Sequence, residues 1–354
     1  MANTGAAAGT LSETYGVPLA AVGLLTTALF VTHFVSQIPG GRLVDRAGAR
    51  RAGLGALGVV LAGNALALAG PWFPLALAAR LVIGLGTGVG FVAGSDYVRW
   101  ATASPTAQGL FGGAGVGGGG AALAIVPLLS GWRAPYASAV VVAAVLGLVL
   151  ATAPADERQA RAEQKAGRAS VVRDRRLYPL AVLHTASFSL TVIAGNWVVD
   201  LLDDHGYSRR LAGAVGALIL LLGLPTRPFG GWIVRARPDG VRAALAGSIV
   251  AGAAGLALLA LPLPLPVLIL GSAVAGLAAG IPFAPAFSGA QRLRPDAPAA
   301  AVGFVNSVAT LAIVVGTPLV GLTFSLTGHG RIGFVLLAAL WLAALPAVRY
   351  VQRG

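Results

Sequence analysis

Gly41-Arg42-Leu43-Val44-Asp45-Arg46-Ala47-Gly48-Ala49-Arg50-Arg51 sets five charges between two long apolar runs, in a chain of 354 residues that holds only 37 charged ones. Such a cluster reads as a short water-facing loop between two membrane helices. The composition around it agrees, with 56% hydrophobic and 10% charged residues against roughly 45–50% and 25% in soluble domains. Apolar segments of about 20 residues recur along the whole length, each long enough at about 1.5 Å per residue to cross a hydrocarbon core of roughly 30 Å. They are continuously apolar rather than alternating, which predicts helices and not a barrel.

What the chain lacks narrows its chemistry. It has no cysteine, four histidines and three glutamates, so a disulfide framework or thiol nucleophile is excluded and a metal centre is thinly supplied. No metal or cofactor is expected. The net charge of +13 would suit nucleic acid if the arginines formed one stripe, but they are scattered through short segments between apolar runs and read as topology signals. Arginine outnumbers lysine 24 to 1, a bias that points to a GC-rich bacterial genome.

Apolar runs fall near 18–38, 53–71, 74–97, 108–130, 134–153, 177–201, 211–234, 243–262, 265–289, 300–325 and 332–349, eleven expected spans. With the Asp45 loop assigned to the cytoplasm, 19 lysines and arginines fall on that side and four, at Arg133, Arg209, Arg210 and Arg331, fall outside. The positive-inside rule then orients the chain, C-terminus in the cytoplasm, in a cell membrane. The polar stretch 154–176 reads as a cytoplasmic linker between a bundle of five helices (1–153) and one of six (177–354). At an offset of 190 residues Gly16, Gly40, Gly41, Gly86 and Gly90 pair with Gly206, Gly230, Gly231, Gly276 and Gly280, which favours an internal duplication. The helix at 177–201 would then have a counterpart beginning before residue 1, so the chain is expected to lack a first helix.

The pattern Gly41-x-Leu43-x-Asp45-Arg46-x-Gly48-x-Arg50-Arg51 resembles the signature loop of major facilitator superfamily transporters, between their second and third helices. That family also has two six-helix halves joined by a polar cytoplasmic linker, so the resemblance covers nearly the whole chain. It implies an all-α, polytopic two-bundle fold with pseudo-twofold symmetry, eleven helices of twelve being present. Arg80 followed by Gly84, Gly86, Gly88 and Gly90 is similar to the family's fourth-helix pattern. The second copy of the loop, Gly231-Trp232-Ile233-Val234-Arg235, is degenerate, with Arg235 where the aspartate would stand. Gly41 lets another helix approach closely, Asp45 can accept hydrogen bonds at a neighbouring helix N-terminus, and Arg46 and Arg50 can pair with carboxylates or lipid phosphate. Together these residues and Gly48 form a breakable clasp, which the resemblance implies is closed in the outward-facing state.

Ionisable residues inside spans cost roughly 2.5–3.5 kcal/mol each on insertion scales, so they are functional candidates. Arg227 lies eight residues before Arg235, roughly 12 Å deeper at 1.5 Å per residue, and its guanidinium would attract an anion and fork onto two oxygens. Gln37 is its equivalent at offset 190, and a pseudo-twofold axis places both across one cavity. His33 and His184 are further substrate or proton candidates, and Asn64 and Asn306 can bind substrate or join helices. Arg80 is expected to pair within its own half. The run from Gly109 to Gly120, with Gly113 and Gly117, suits tight helix packing and partly resembles the fifth-helix signature of nitrate/nitrite porters. Val116 and Gln37 depart from that branch. The reading is a monomeric secondary transporter of a small solute or ion, an organic or inorganic anion being favoured. Alternatives are a nitrate-like porter, drug or metabolite efflux, and a non-transporting membrane scaffold. Ser95 and Ser288 lack a base at helical spacing, so an enzyme is not expected.

Overall fold

Lipid tails are as apolar as leucine, so helices in a bilayer associate through close packing, and small residues decide where they cross. The computed structural model describes residues 3–156, 170–327 and 330–351, and these form sixteen α-helices with no strand. The first seven are α1 (Asn3–Ala6), α2 (Ala8–Tyr15), α3 (Leu19–Ala47), α4 (Ala49–Leu68), α5 (Phe73–Thr102), α6 (Pro105–Ile125) and α7 (Ala134–Thr152). After the linker come α8 (Tyr178–His184), α9 (Leu190–Asp204), α10 (Arg209–Leu221), α11 (Gly223–Ala236), α12 (Val241–Ala260), α13 (Leu265–Gly280), α14 (Phe283–Leu293), α15 (Pro298–Leu322) and α16 (Arg331–Leu342). Residues 157–169, most of the expected linker, lie outside the described residues.

Ten helical stretches among the described residues are long and apolar enough to cross a membrane, against eleven expected. The remaining expected span, 108–130, coincides with helix α6 and the short 3-10 turn that follows it. The loop expected at 41–51 is corrected. Helix α3 runs through it to Ala47 and α4 starts at Ala49, leaving Gly48 alone as the joint, with φ at +86°. Only glycine takes that conformation without strain. The expected span 211–234 divides at Leu222 into α10 and α11. Pro225 has no N–H for the carbonyl of Leu221, and its ring presses on that carbonyl, so the helix cannot run through regularly.

By packing, the chain forms two units whose borders differ from the sequence halves. The first holds Met1–Ala101, Gly117–Val171 and Arg294–Ser307; the second holds Thr102–Val116, Val172–Leu293 and Val308–Gly354. The chain therefore passes from one unit to the other inside α6 and again inside α15. Within the first unit, Leu11, Val22, Leu25, Ala67, Ala76, Ala79 and Tyr136 form one buried cluster, and Val44, Ala49, Ala52, Val92, Ala93 and Ala299 another.

The glycines after Arg80 divide their work by face. Gly84 and Gly88, four residues apart, lie against the Leu29 and His33 carbonyls of α3, while Gly86 lies against the Ala56 carbonyl of α4 and Gly90 faces the Ala56 methyl. Residues one turn apart share a helix face, so α5 can press two neighbours at once. The duplication is legible in the same contacts. Gly16 and Gly206 both end a helix in the left-handed conformation, at φ +62° and +90°. The amides of Val17 and Tyr207 then bond to the carbonyls of Ser12 and Leu202 at 3.2 and 3.0 Å, the same closing turn 190 residues apart. Further along, the register shifts by two. A Cβ on Gly63 would lie 3.2 Å from the Ala79 oxygen and 3.1 Å from the Ile83 amide; one on Gly255 would meet the Gly271 oxygen at 2.6 Å and the Ala275 amide at 2.7 Å. The contacts of Gly84 and Gly88 likewise match those of Gly276 and Gly280, which correct the pairing of Gly86 and Gly90 expected at 190.

Gly255→Val is expected to destabilise the protein by about 1–3 kcal/mol, because the added carbons meet backbone that cannot move aside. Gly247→Val, on the same helix with open space around it, is expected to melt close to the wild type. Thermal unfolding in detergent compares the two, and equal midpoints would contradict this account of the packing.

Candidate functional site

In the first unit the charged segment meets the start of α15. That helix begins at Pro298, so the amides of Ala299 and Ala300 lie in its first turn and have no partner within the helix. The Asp45 carboxylate accepts both, Ala299 N–H on Oδ1 at 2.9 Å and Ala300 N–H on Oδ2 at 3.0 Å. It serves as a cap supplied from another helix, and its charge also suits the positive end of the helix dipole. Gly41, one turn earlier on α3, makes the approach possible: a Cβ there would lie 2.5 Å from the Ala300 Cα and 2.7 Å from the Ala299 oxygen.

A second carboxylate that sequence reasoning missed works the same way. Asp156 is buried and accepts the amides of Ala49 and Arg50 at 2.6 and 3.3 Å, capping α4 just after the Gly48 joint. A Cβ on Gly48 would stand 2.9 Å from both Asp156 oxygens, so the joint must be glycine for sterics as well as for φ. Arg50, expected to seek a carboxylate or phosphate, instead donates to the Leu150 carbonyl at 3.1 Å and to that of Ala151. These belong to the last turn of α7, where carbonyls are left over and the dipole is negative. Asp96 pairs with Arg99 at 2.7 Å. Arg46 is exposed.

Deeper on α3, Gln37 is fully buried, and its Oε1 accepts the Asn306 side-chain amide of α15 at 2.7 Å. Gly303 lies against the Gln37 backbone carbonyl, so the two candidate residues sit where α3 and α15 touch. His33 is buried with Nδ1 3.1 Å from Thr87 Oγ1. The Thr87 hydroxyl also lies 3.1 Å from the Gly84 carbonyl, and donating there leaves its oxygen able to accept from His33 Nδ1. Arg80 is buried, its Nε donating to the Leu25 carbonyl at 3.1 Å and Nη1 to Asn3 Oδ1 at 3.4 Å, all within the first unit. Asn64 bonds the Val60 carbonyl of its own helix at 2.8 Å.

The second unit surrounds Arg227 with rings. The side chain is 7% exposed, and its guanidinium carbon lies 4.8 Å from the Phe283 ring centre and 5.7 Å from that of Phe188. His184 stacks on Phe188 at 5.3 Å and meets Phe287 edge-on at 4.7 Å. A π-helical turn, Thr185–Ser189, follows His184, and turns of this kind recur at functional sites. Arg227 Nη1 donates to the Gly112 carbonyl of α6, and Gly109 lies against the Arg227 carbonyl. Among the described residues Arg227 has no carboxylate partner, and its buried Nε makes no hydrogen bond. The rings were missed by sequence reasoning, although Phe283 and Phe287, one turn apart, carried the signal.

A family model described as Major Facilitator Superfamily matches residues 1–317. No curated protein matches the sequence significantly. Among solved structures the chain is similar to the human organic anion transporter MFSD10 (TETRAN), at 18% identity and a TM-score of 0.72, covering 98% of this chain and 89% of that one. It is also similar to the E. coli fucose:proton symporter FucP, at 14% identity and a TM-score of 0.73, covering 100% and 96%. At these identities the likeness extends to the fold. These matches do not show the resemblance to nitrate/nitrite porters.

Asp45→Ala and Asp156→Ala each leave two helix-terminal amides without their acceptor. Each is expected to cost about 0.5–2 kcal/mol, the usual range for losing a cap. Unfolding in detergent measures this, and wild-type midpoints for both would contradict the capping roles.

Proposed function

The chain belongs to the Major Facilitator Superfamily, and from that premise we propose that it moves a small anion across a bacterial cell membrane by alternating access. Membership makes it a multi-pass membrane transporter rather than an enzyme. The anion follows from Arg227, the single observation that carries the reading. A buried guanidinium is costly, and most are offset by a carboxylate; here a carbonyl and two ring faces do part of that work, and Nε remains open to an acceptor. A planar anion with two oxygens matches the fork geometry of arginine, which an ammonium group does not.

Gln37 and Asn306 are read as solute contacts of the first unit, available when their mutual bond opens. Asp45 and Gly41 form the gate, with the start of α15 as its other jaw. The 19 basic residues that the sequence assigns to the side of Asp45 support a cytoplasmic orientation for this gate and the C-terminus. The protein works as a monomer driven by an ion or solute gradient. The resemblance in fold to an organic anion transporter is consistent with this, but the reading stands on Arg227.

Purified protein in liposomes loaded with a mixture of organic and inorganic anions is expected to show counterflow of at least one labelled anion. Arg227→Gln is expected to weaken that exchange about tenfold or more, and Arg227→Lys to restore little of it, since lysine lacks the fork. Anion exchange unchanged by Arg227→Gln would remove Arg227 from the site. Absence of exchange for any anion, alongside uptake of a neutral or cationic solute, would overturn the substrate class.

A further inference from the structure

Three membrane segments of the second unit end around one cleft that the transport reading does not use. The stretch Arg175–Asp204 starts there, and Leu265–Leu293 and Arg331–Tyr350 finish there. The cleft holds about 560 Å³ and is lined by Arg175, Arg176, Tyr178, Pro179, Leu293 and Tyr350, with Val182 and Ala347 completing the wall. Its chemistry is divided. One rim carries two guanidinium groups and, among the described residues, no carboxylate lines it, while the remaining wall is aromatic and aliphatic.

The charges there are not equally engaged. Arg176 forks onto Asp174, Nε to Oδ1 at 2.9 Å and Nη2 to Oδ2 at 2.7 Å. The Arg175 side chain makes no hydrogen bond or ion pair among the described residues. Arg349 adds positive charge behind Tyr350, its guanidinium 4.8 Å over that ring and donating to the hydroxyl at 2.9 Å. The aromatic wall is anchored too, since the Tyr178 hydroxyl donates to the Val172 carbonyl at 2.9 Å. Tyr178, Val182 and Tyr350 are 44%, 42% and 59% exposed, so the apolar part of the cleft opens at the outer surface of the helices, where bilayer lipid lies.

We propose that this cleft binds an anionic glycerophospholipid, its phosphate on Arg175 and Arg176 and an acyl chain along Pro179, Val182 and Leu293. A free inorganic anion has no use for the aliphatic wall, and a neutral lipid has none for the arginines. Tyrosines at the level of the headgroups and arginines at the ends of spans are the side chains that meet this ligand's two halves. The inference depends on membrane embedding and not on the identity of the transported solute.

The test uses the full chain in detergent, delipidated and then titrated with dioleoylphosphatidylglycerol, dioleoylphosphatidylcholine or inorganic phosphate. Native mass spectrometry counts bound lipid, and thermal unfolding reports stabilisation. The proposal expects one phosphatidylglycerol retained in preference to phosphatidylcholine, raised stability with the former, and no effect of phosphate at matched concentration. Arg175→Gln and Arg176→Gln should each lower retention about fivefold, in line with the contribution of one basic side chain near an anionic headgroup. Val182→Trp fills the cleft with both arginines in place and should also displace the lipid, which keeps the test open if an arginine variant fails to fold. Equal retention of the two lipids, stabilisation by phosphate alone, or full phosphatidylglycerol retention in Val182→Trp would each overturn it.

Discussion

The contact on which the rest of this structure depends is backbone against backbone, where α3 crosses the first turn of α15. Gly41 is small enough for the helices to touch, and only at that distance can the Asp45 carboxylate reach two amides that α15 itself cannot satisfy. The corresponding glycine in the second copy, Gly231, lies against the Pro105 carbonyl at the start of α6, but Arg235 stands where the carboxylate would be. The two corresponding crossings are therefore unequal. The first carries a charge that can be lost, and the second carries only steric fit. Helices in lipid gain little from burying apolar surface against one another, so contacts as specific as these decide which packing is stable.

Beside ion pairs such as Asp96–Arg99, four charged side chains are offset in three other ways. Asp45 and Asp156 are neutralised by helix amides, Arg50 by helix carbonyls, and Arg227 by aromatic faces together with one carbonyl. The first two arrangements are complete, since each charged group meets the opposite end of a helix dipole. The third is not, because the Arg227 Nε has no acceptor among the described residues. An incomplete shell around an intramembrane charge is the kind of feature that a transported ligand can complete.

Much of this was legible beforehand because glycine and charge are sparse signals in an apolar chain. The placement of Arg227 followed from its spacing to Arg235, and the role of Asp45 at a helix N-terminus came with the resemblance of its segment to the family's signature loop. The register of the duplication was legible only for the first helices, where Gly16 and Gly206 close identical turns. A shift to 192 residues between Gly63 and Gly255 is hidden in sequence, since glycines two apart both find matches in a glycine-rich segment. Asp156 escaped notice because it opens a stretch whose charges look like ordinary linker solvation, and a carboxylate reaching back across more than a hundred residues leaves no local pattern. The rings around Arg227 were hidden for a similar reason. Phe188 and Phe283 come together around Arg227 only through the packing of α14 against the region of α8, while phenylalanine in an apolar helix is unremarked by composition. The division of α10 from α11 was readable at Pro225, yet the continuous apolarity of 211–234 masked it.

The account turns on the α3–α15 crossing being held by the Asp45 charge and released without it. The chain contains no cysteine, so spin labels can be placed cleanly at Arg46→Cys and Pro295→Cys, two exposed positions flanking the contact. Double electron–electron resonance between them, recorded with and without Asp45→Asn, reads the crossing directly. A single short distance with Asp45 present, joined by a longer population once its charge is removed, is the predicted result. The same distance distribution in both proteins would contradict it.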